Sequence, residues 1–360
     1  MKAALGVVGV VLAAVGIAVA WLGHAALLAA WLATWWWCAG LVMGALANLW
    51  IHNLTGGRWG EGIRADILQC SRMMLPLALL FLPVLLGMHA LYPWTQHASD
   101  GAARWTGALP SHAASFKSVW LSPWFFAARS IIWLVAWTVL ATLSRLPAYE
   151  RSRRFAALAL IVYGLTVSLA AVDWIMSLMP LWYSSGFGLV AATAQMLSGF
   201  AFVLWRSVSR TTALNAQLGR DLGNLLLMYL MTCAYLTYMQ FLVIWSANLP
   251  HEIAWYVARR DHAWPILAWG LWLCQFAAPM GILLFRRAKQ APRTLAALAL
   301  TVVMTQLLWA WWLVLPSVSV SLHGMWRVAI PMAVPFAVGV RYWPAPVRVA
   351  RAGNEEVNHA

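Results

Sequence analysis

The chain has 360 residues, 63% of them hydrophobic and only 9% charged, against roughly 25% charge in an average soluble domain. That balance excludes a soluble globular protein and predicts a polytopic membrane protein. Lys and Arg outnumber Asp and Glu by 24 to 10, but they fall between apolar runs rather than in a stripe with stacking aromatics, so membrane lipid is an expected partner and nucleic acid is not.

A bilayer core is crossed by roughly 20 apolar residues in helix. Ten such runs occur in chain order: 3–22, 25–48, 73–93, 124–144, 155–174, 184–205, 222–246, 264–285, 294–315 and 327–343. The expected fold is therefore all-α, a single membrane domain over 1–360 with about ten transmembrane helices. Residues 94–123 form an outer-side loop and 344–360 a cytoplasmic tail. The first run follows Lys2 and ends in Ala18-Val-Ala20, as a signal peptide does. Its apolar length exceeds the ~7 to 15 residues of a signal core, which favours an uncleaved first helix.

Cytoplasmic loops hold the excess of Lys and Arg. When the loops are assigned alternately to two sides, all of the 24 Lys and Arg except Arg104, Lys117, Arg129, Arg259, Arg260 and Arg327 fall on one side. Both termini are thus expected in the cytoplasm of a bacterial inner membrane. The opposite side collects Asp173 and its turn, Asn248-Leu-Pro-His-Glu252, Arg129, His323 and many of the 26 tryptophans, such as Trp94, Trp182 and Trp255. Tryptophan belts normally occupy both interfaces. The mixed polar and aromatic stretch 115–124 suits a segment lying in the interface.

Ionisable groups inside apolar runs are costly and are functional candidates by default. Arg129 lies just inside the fourth run and Asp173 closes the fifth. A cytoplasmic loop joins these two helices, so the two residues reach similar depth and a salt bridge between them is expected, either as a structural pair or as part of a proton-handling site. Proline after Asn248-Leu249 ends the seventh helix and presents His251 and Glu252 to the same outer face. His52 sits beside a glycine-rich turn, Thr55-Gly-Gly-Arg58, at the cytoplasmic end of the second helix. Tyr163, Tyr229, Gln240, Gln275 and Gln306 lie within helices, where they line a water wire or bond helix to helix. The four cysteines, Cys38, Cys70, Cys233 and Cys274, form no C-x-x-C, so neither a metal site nor covalent haem is expected.

Three stretches resemble a known family. Asp173-Trp-x-Met-Ser-Leu-x-x-x-Trp-Tyr-Ser-x-x-Phe-Gly188, Ile244-Trp-Ser-x-Asn-Leu-Pro-x-Glu-x-x-Trp-Tyr256 and His52-x-x-Thr-Gly-Gly-x-Trp-Gly60 are similar to motifs of the ActF-type membrane subunit of bacterial alternative complex III, a quinol:cytochrome c oxidoreductase. That subunit belongs with the NrfD and polysulfide-reductase membrane anchors. Pro123-x-Phe-x-x-x-Arg129 is similar as well. The resemblance implies two four-helix bundles with flanking helices, no redox cofactor and no catalytic residue of the chain's own, and a contribution to proton movement at the outer face. Its implied partners are an NrfD-like quinol-oxidising subunit, an iron-sulfur subunit and haem c subunits. Met179 and His251 stand where the family commonly carries Glu. Two alternatives accompany this reading. In the first, the chain is a quinol-binding anchor of the same complex, with Asp173 or His251 accepting a hydroxyl proton and Trp182 or Tyr183 packing on the ring of quinol or quinone. The second is a secondary transporter.

Overall fold

The computed structural model describes residues 14, 15, 18, 19, 21, 23–95, 111–210, 214–260 and 263–341. Among them there is no strand, and eight helices are long and apolar enough to cross a membrane. The protein is an all-α, multi-pass membrane protein. These helices are α1 (Ala25–Thr55), α2 (Arg58–Leu86), α3 (Pro123–Leu143), α4 (Arg153–Trp174), α5 (Phe187–Val208), α6 (Ala216–Ala247), α7 (Trp264–Leu283) and α8 (Pro292–Val314), followed by α9 (Leu322–Arg341). The predicted run 3–22 lies almost wholly outside the described residues, as does the tail 344–360.

Hydrocarbon offers no partner for a free N–H or C=O, so each span closes its own hydrogen bonds, and the ends are set by local signals. Ser152 caps α4 by accepting from the Phe155 N–H, and Asn215 caps α6 by accepting from Gln217 and Leu218. Prolines at the starts of α3, α7 and α8 occupy positions whose N–H would be unpaired anyway. The tight turn between α1 and α2 uses Gly56 and Gly57 at φ +73° and +99°, a conformation open to glycine.

The expected span 73–93 is corrected in one respect. Its helix starts earlier, at Arg58, so the expected cytoplasmic loop is mostly helical, and it is broken near Leu80 before resuming at Leu82. There the Phe81 N–H turns to the Ala78 carbonyl and the Val84 N–H to that of Phe81. The carbonyls of Leu77 and Leu80 are released by this shift, and the indole N–H groups of Trp35 and Trp31 take them at 2.7 and 2.9 Å.

Helices α1–α4 form one bundle and α5–α8 a second, each closing in a ring with its first helix against its fourth. Across the junction α1 packs on α5 and α8, while α5 packs on α1 and α4, so the halves repeat one arrangement. Helix α9 lies against α1. The central crossing is close because Gly44 and Gly199 carry no side chain. A Cβ on Gly44 would overlap the Gln195 carbonyl, and one on Gly199 the Ala45 N–H. Gly40 and Gly44 have the spacing with which membrane helices approach tightly. Helices α1 and α5 are accordingly buried along most of their length, whereas α4 turns Leu158, Ile161 and Leu165 outward.

Candidate functional site

Arg129 and Asp173 meet at the end of the first bundle, buried at 4% and 0% exposure. Asp173 Oδ1 accepts from Arg129 Nη2 at 2.9 Å and from Trp120 Nε1 at 3.0 Å, while Oδ2 accepts from Arg129 Nε at 3.0 Å and Trp133 Nε1 at 3.2 Å. A carboxylate has about four lone-pair sites, and all are taken. The guanidinium lies 4.0 Å from the ring centre of Trp120 and 4.3 Å from that of Phe125, and Nη2 also donates to the Trp120 carbonyl. Trp120 ends the short helix Ser111–Trp120, so the pair ties that segment to α3 and α4. This geometry suits a structural latch, because no open lone pair remains to receive a proton.

A second anchor closes the other bundle. Trp182 stacks on Trp255 with ring centres 4.2 Å apart and planes at 16°. On Trp255 lies Arg259, its guanidinium carbon 3.3 Å from the ring centre. Arg259 donates to the carbonyls of Trp255, Trp312 and Leu313 and to Ser317 Oγ. No carboxylate joins it among the described residues. Helix α6 ends on Asn248, in the left-handed region at φ +51°, and Pro250 opens the short helix Pro250–Val257, which carries Trp255.

The same turn places His251 on the surface and Glu252 in the helix's first turn, where the helix dipole favours a carboxylate. His251 stacks on exposed Tyr183 at 5.9 Å, and Lys117 sits 5.5 Å from the Tyr183 ring centre while donating to the Pro180 carbonyl at 2.8 Å. Thus the candidates at this end divide into a buried latch, a buried stack and an exposed rim. Among the described residues no hydrogen bond or ion pair joins Asp173 to His251 or Glu252.

His52 lies at the opposite end, 4% exposed. Its Nε2 is 2.7 Å from the Gly57 carbonyl and its Nδ1 is 3.2 Å from Arg64 Nη2. Since arginine only donates, Nδ1 is the acceptor and Nε2 carries the proton. Arg64 also reaches Asn53 at 2.7 Å, Glu61 at 3.4 Å and Glu150 at 3.6 Å, while Arg206 lies 3.5 Å from Asp66. Sequence reasoning treated these arginines as topology charges and missed their pairing with Glu61, Glu150 and Asp66. Asn48 was missed too, although a lone amide within an apolar run is a signal. It accepts from Tyr229 at 2.8 Å and donates to the Gly44 and Met196 carbonyls. Tyr163 donates to Gln195 and Ser198 to Gln306, so these polar groups bond helix to helix. Gln240 and Gln275 instead border a cavity in the second bundle.

No three His, Cys, Asp or Glu among the described residues are grouped to hold a metal ion. No protein-family profile matches the chain, and no curated protein matches it.

Proposed function

We propose that the chain is a membrane subunit, without a redox cofactor of its own, of an alternative complex III-like respiratory quinol oxidoreductase. It lies in a bacterial inner membrane with both termini cytoplasmic, and its Asp173 end is the outer face that receives the redox-carrying subunits. The observation that carries this reading is that the motif stretches meet one another in space. Arg129 of one pairs with Asp173 of the next, at 2.9 Å. Trp182, from the Asp173 stretch, stacks on Trp255 of the third. Within the fourth, Gly60 lies so close to the His52 ring that a Cβ would overlap it. Residues spread from 52 to 256 therefore build the two ends of one scaffold.

The latch and the stack hold a rim of Lys117, Tyr183, His251 and Glu252 in place, and rigid mixed aromatic and charged rims of this kind suit protein partners. Proton handling at this face falls to His251 and Glu252, which are open to a partner or water, because Asp173 is saturated.

Purification of the tagged chain from its native membranes in mild detergent tests the assignment. Haem c, iron-sulfur and NrfD-like subunits are expected to co-purify with quinol-oxidising activity, less of them with Tyr183→Ala/His251→Ala. A chain that purifies alone from gently solubilised, cross-linked membranes overturns the reading.

A further inference from the structure

Helices α2 and α3 leave a groove of about 290 Å³ on the surface of the first bundle. Two arginines, Arg72 and Arg145, stand at the mouth of this groove. We propose that groove and arginines together bind one anionic phospholipid, its phosphate held by Arg72 and Arg145 and an acyl chain lying between the helices. The site is at the end opposite Asp173, which the reading above puts in the cytoplasmic leaflet. The inference goes beyond that reading and does not depend on which complex the chain joins.

The groove suits hydrocarbon. Leu75, Leu79 and Leu82 from α2 and Ile131, Val135 and Val139 from α3 line it, each close to half exposed or more, so it opens to lipid. Its one hydroxyl, on Thr138, donates back to the Leu134 carbonyl at 2.8 Å. From Val139 to Ile131 the groove follows α3 for roughly 12 Å, most of one leaflet's half of a ~30 Å core. Any bilayer lipid could wet such a surface, so the groove alone does not choose among lipids.

The arginines supply the choice. Arg72 precedes Leu75 by about one helical turn, in a turn that packs on α3, and Arg145 follows the end of α3. Arg145 Nη1 is 3.5 Å from Ser71 Oγ and Nη2 is 3.3 Å from Thr142 Oγ1. Both contacts are longer than an ordinary N–H···O bond, and most of the guanidinium's donors stay open. Arg72 is exposed, and among the described residues neither arginine has an Asp or Glu within ion-pair distance. Of the acids at this end, Glu61, Glu150 and Asp66 pair with other arginines and Asp221 bonds Gln217. Burial and the charge of Arg72 both push the Arg145 guanidinium below its usual pKa. Two like charges held together without a counter-ion favour an anion between them, and arginine binds phosphate oxygens through paired, charge-assisted bonds. A phosphate at the mouth with its tail in the groove meets both features at once. An apolar helix from a partner would fill the groove and leave the arginines uncompensated, and free phosphate would do the reverse.

The test uses the full chain, with any co-purifying subunits, in phosphatidylcholine nanodiscs. Phosphatidylglycerol and phosphatidylethanolamine carrying the same diazirine acyl chain are added separately and photolysed, and the labelled peptides are mapped by mass spectrometry. Label within 75–85 and 131–139 is expected to be about tenfold stronger from phosphatidylglycerol. Unlabelled phosphatidylglycerol should displace it and inorganic phosphate should not. Arg72→Gln/Arg145→Gln should lower it to the phosphatidylethanolamine level while thermal unfolding stays near wild type. Arg153→Gln/Arg154→Gln removes the same charge from the same end at exposed positions and should leave the label unchanged. If the first double variant fails to fold, Arg72→Gln alone, at an exposed position, replaces it. Val135→Trp, which fills the groove from its lipid-facing side, should lower label from both lipids. Equal labelling from the two lipids, or label that the Arg72 and Arg145 variants leave unchanged, overturns the proposal. So does label that Arg153→Gln/Arg154→Gln lowers as much, that inorganic phosphate displaces, or that appears only after partner subunits are stripped away.

Discussion

The two bundles share one layout and treat it differently. In the first, a guanidinium stacked on tryptophan finds a carboxylate, Asp173, and the surrounding indoles fill every remaining acceptor site. The second also stacks a guanidinium on tryptophan, but Arg259 has backbone carbonyls and a serine as its partners, and a cavity lies against it. A matched charge pair satisfies the buried carboxylate of the first bundle, whose own cavity, about 290 Å³ between α2 and α3, is lined almost wholly by aliphatic side chains. In the second, the cation is held among the described residues by backbone dipoles and a serine, and a cavity beside a π-helical turn remains open between the helices.

Substitutions at the latch should break this contrast most strongly. Asp173→Ala leaves Arg129 buried without its counter-charge and should cost about 3–5 kcal/mol, measured by thermal unfolding in detergent. Replacing both partners, as Arg129→Met/Asp173→Leu, should recover most of that loss, because the pair's desolvation is removed with it. Next comes the junction. Gly44→Ala drives a methyl into the Gln195 carbonyl across the α1–α5 crossing and should cost about 1–3 kcal/mol. Gly164→Ala, whose Cβ meets nothing within 4 Å, should be neutral in the same assay.

Arg259→Met should have a smaller effect than Asp173→Ala, on the order of 1–2 kcal/mol, since it strips a donor from carbonyls but strands no charge. An effect equal to that of Asp173→Ala would show that the second bundle is closed as firmly as the first. The smallest expected change is at the rim. Tyr183→Ala and His251→Ala should each shift unfolding by less than about 0.5 kcal/mol, so their effect should appear in the recovery of partner subunits alone.

Several of these features are legible in the sequence. The apolar runs located eight spans, because a helix in hydrocarbon must be long and uncharged. Helix adjacency paired Arg129 with Asp173, since two antiparallel neighbours bring equal depths together. The tryptophans were less readable. A count suggested an interfacial belt, and exposed Trp124 and Trp326 fit one, but Trp94, Trp182, Trp255, Trp264 and Trp311 are buried. Trp264 and Trp311 donate their indole N–H to the Val320 carbonyl and to Thr34, and Trp31 and Trp35 serve a broken helix in the same way. A one-dimensional pattern does not reveal which carbonyls a distant helix will release.

By itself, the sequence determined the class of the molecule, the positions of eight apolar spans and the pairing of Arg129 with Asp173, because hydrophobicity and charge act along the chain. Only the tertiary structure decided that Asp173 has no lone pair to spare, that Arg259 stands without a carboxylate among the described residues, and that Gln240, Gln275 and Trp312 border one cavity. Those outcomes depend on which side chains from separate helices arrive at one point. Lone pairs, donors and empty space are counted there in three dimensions.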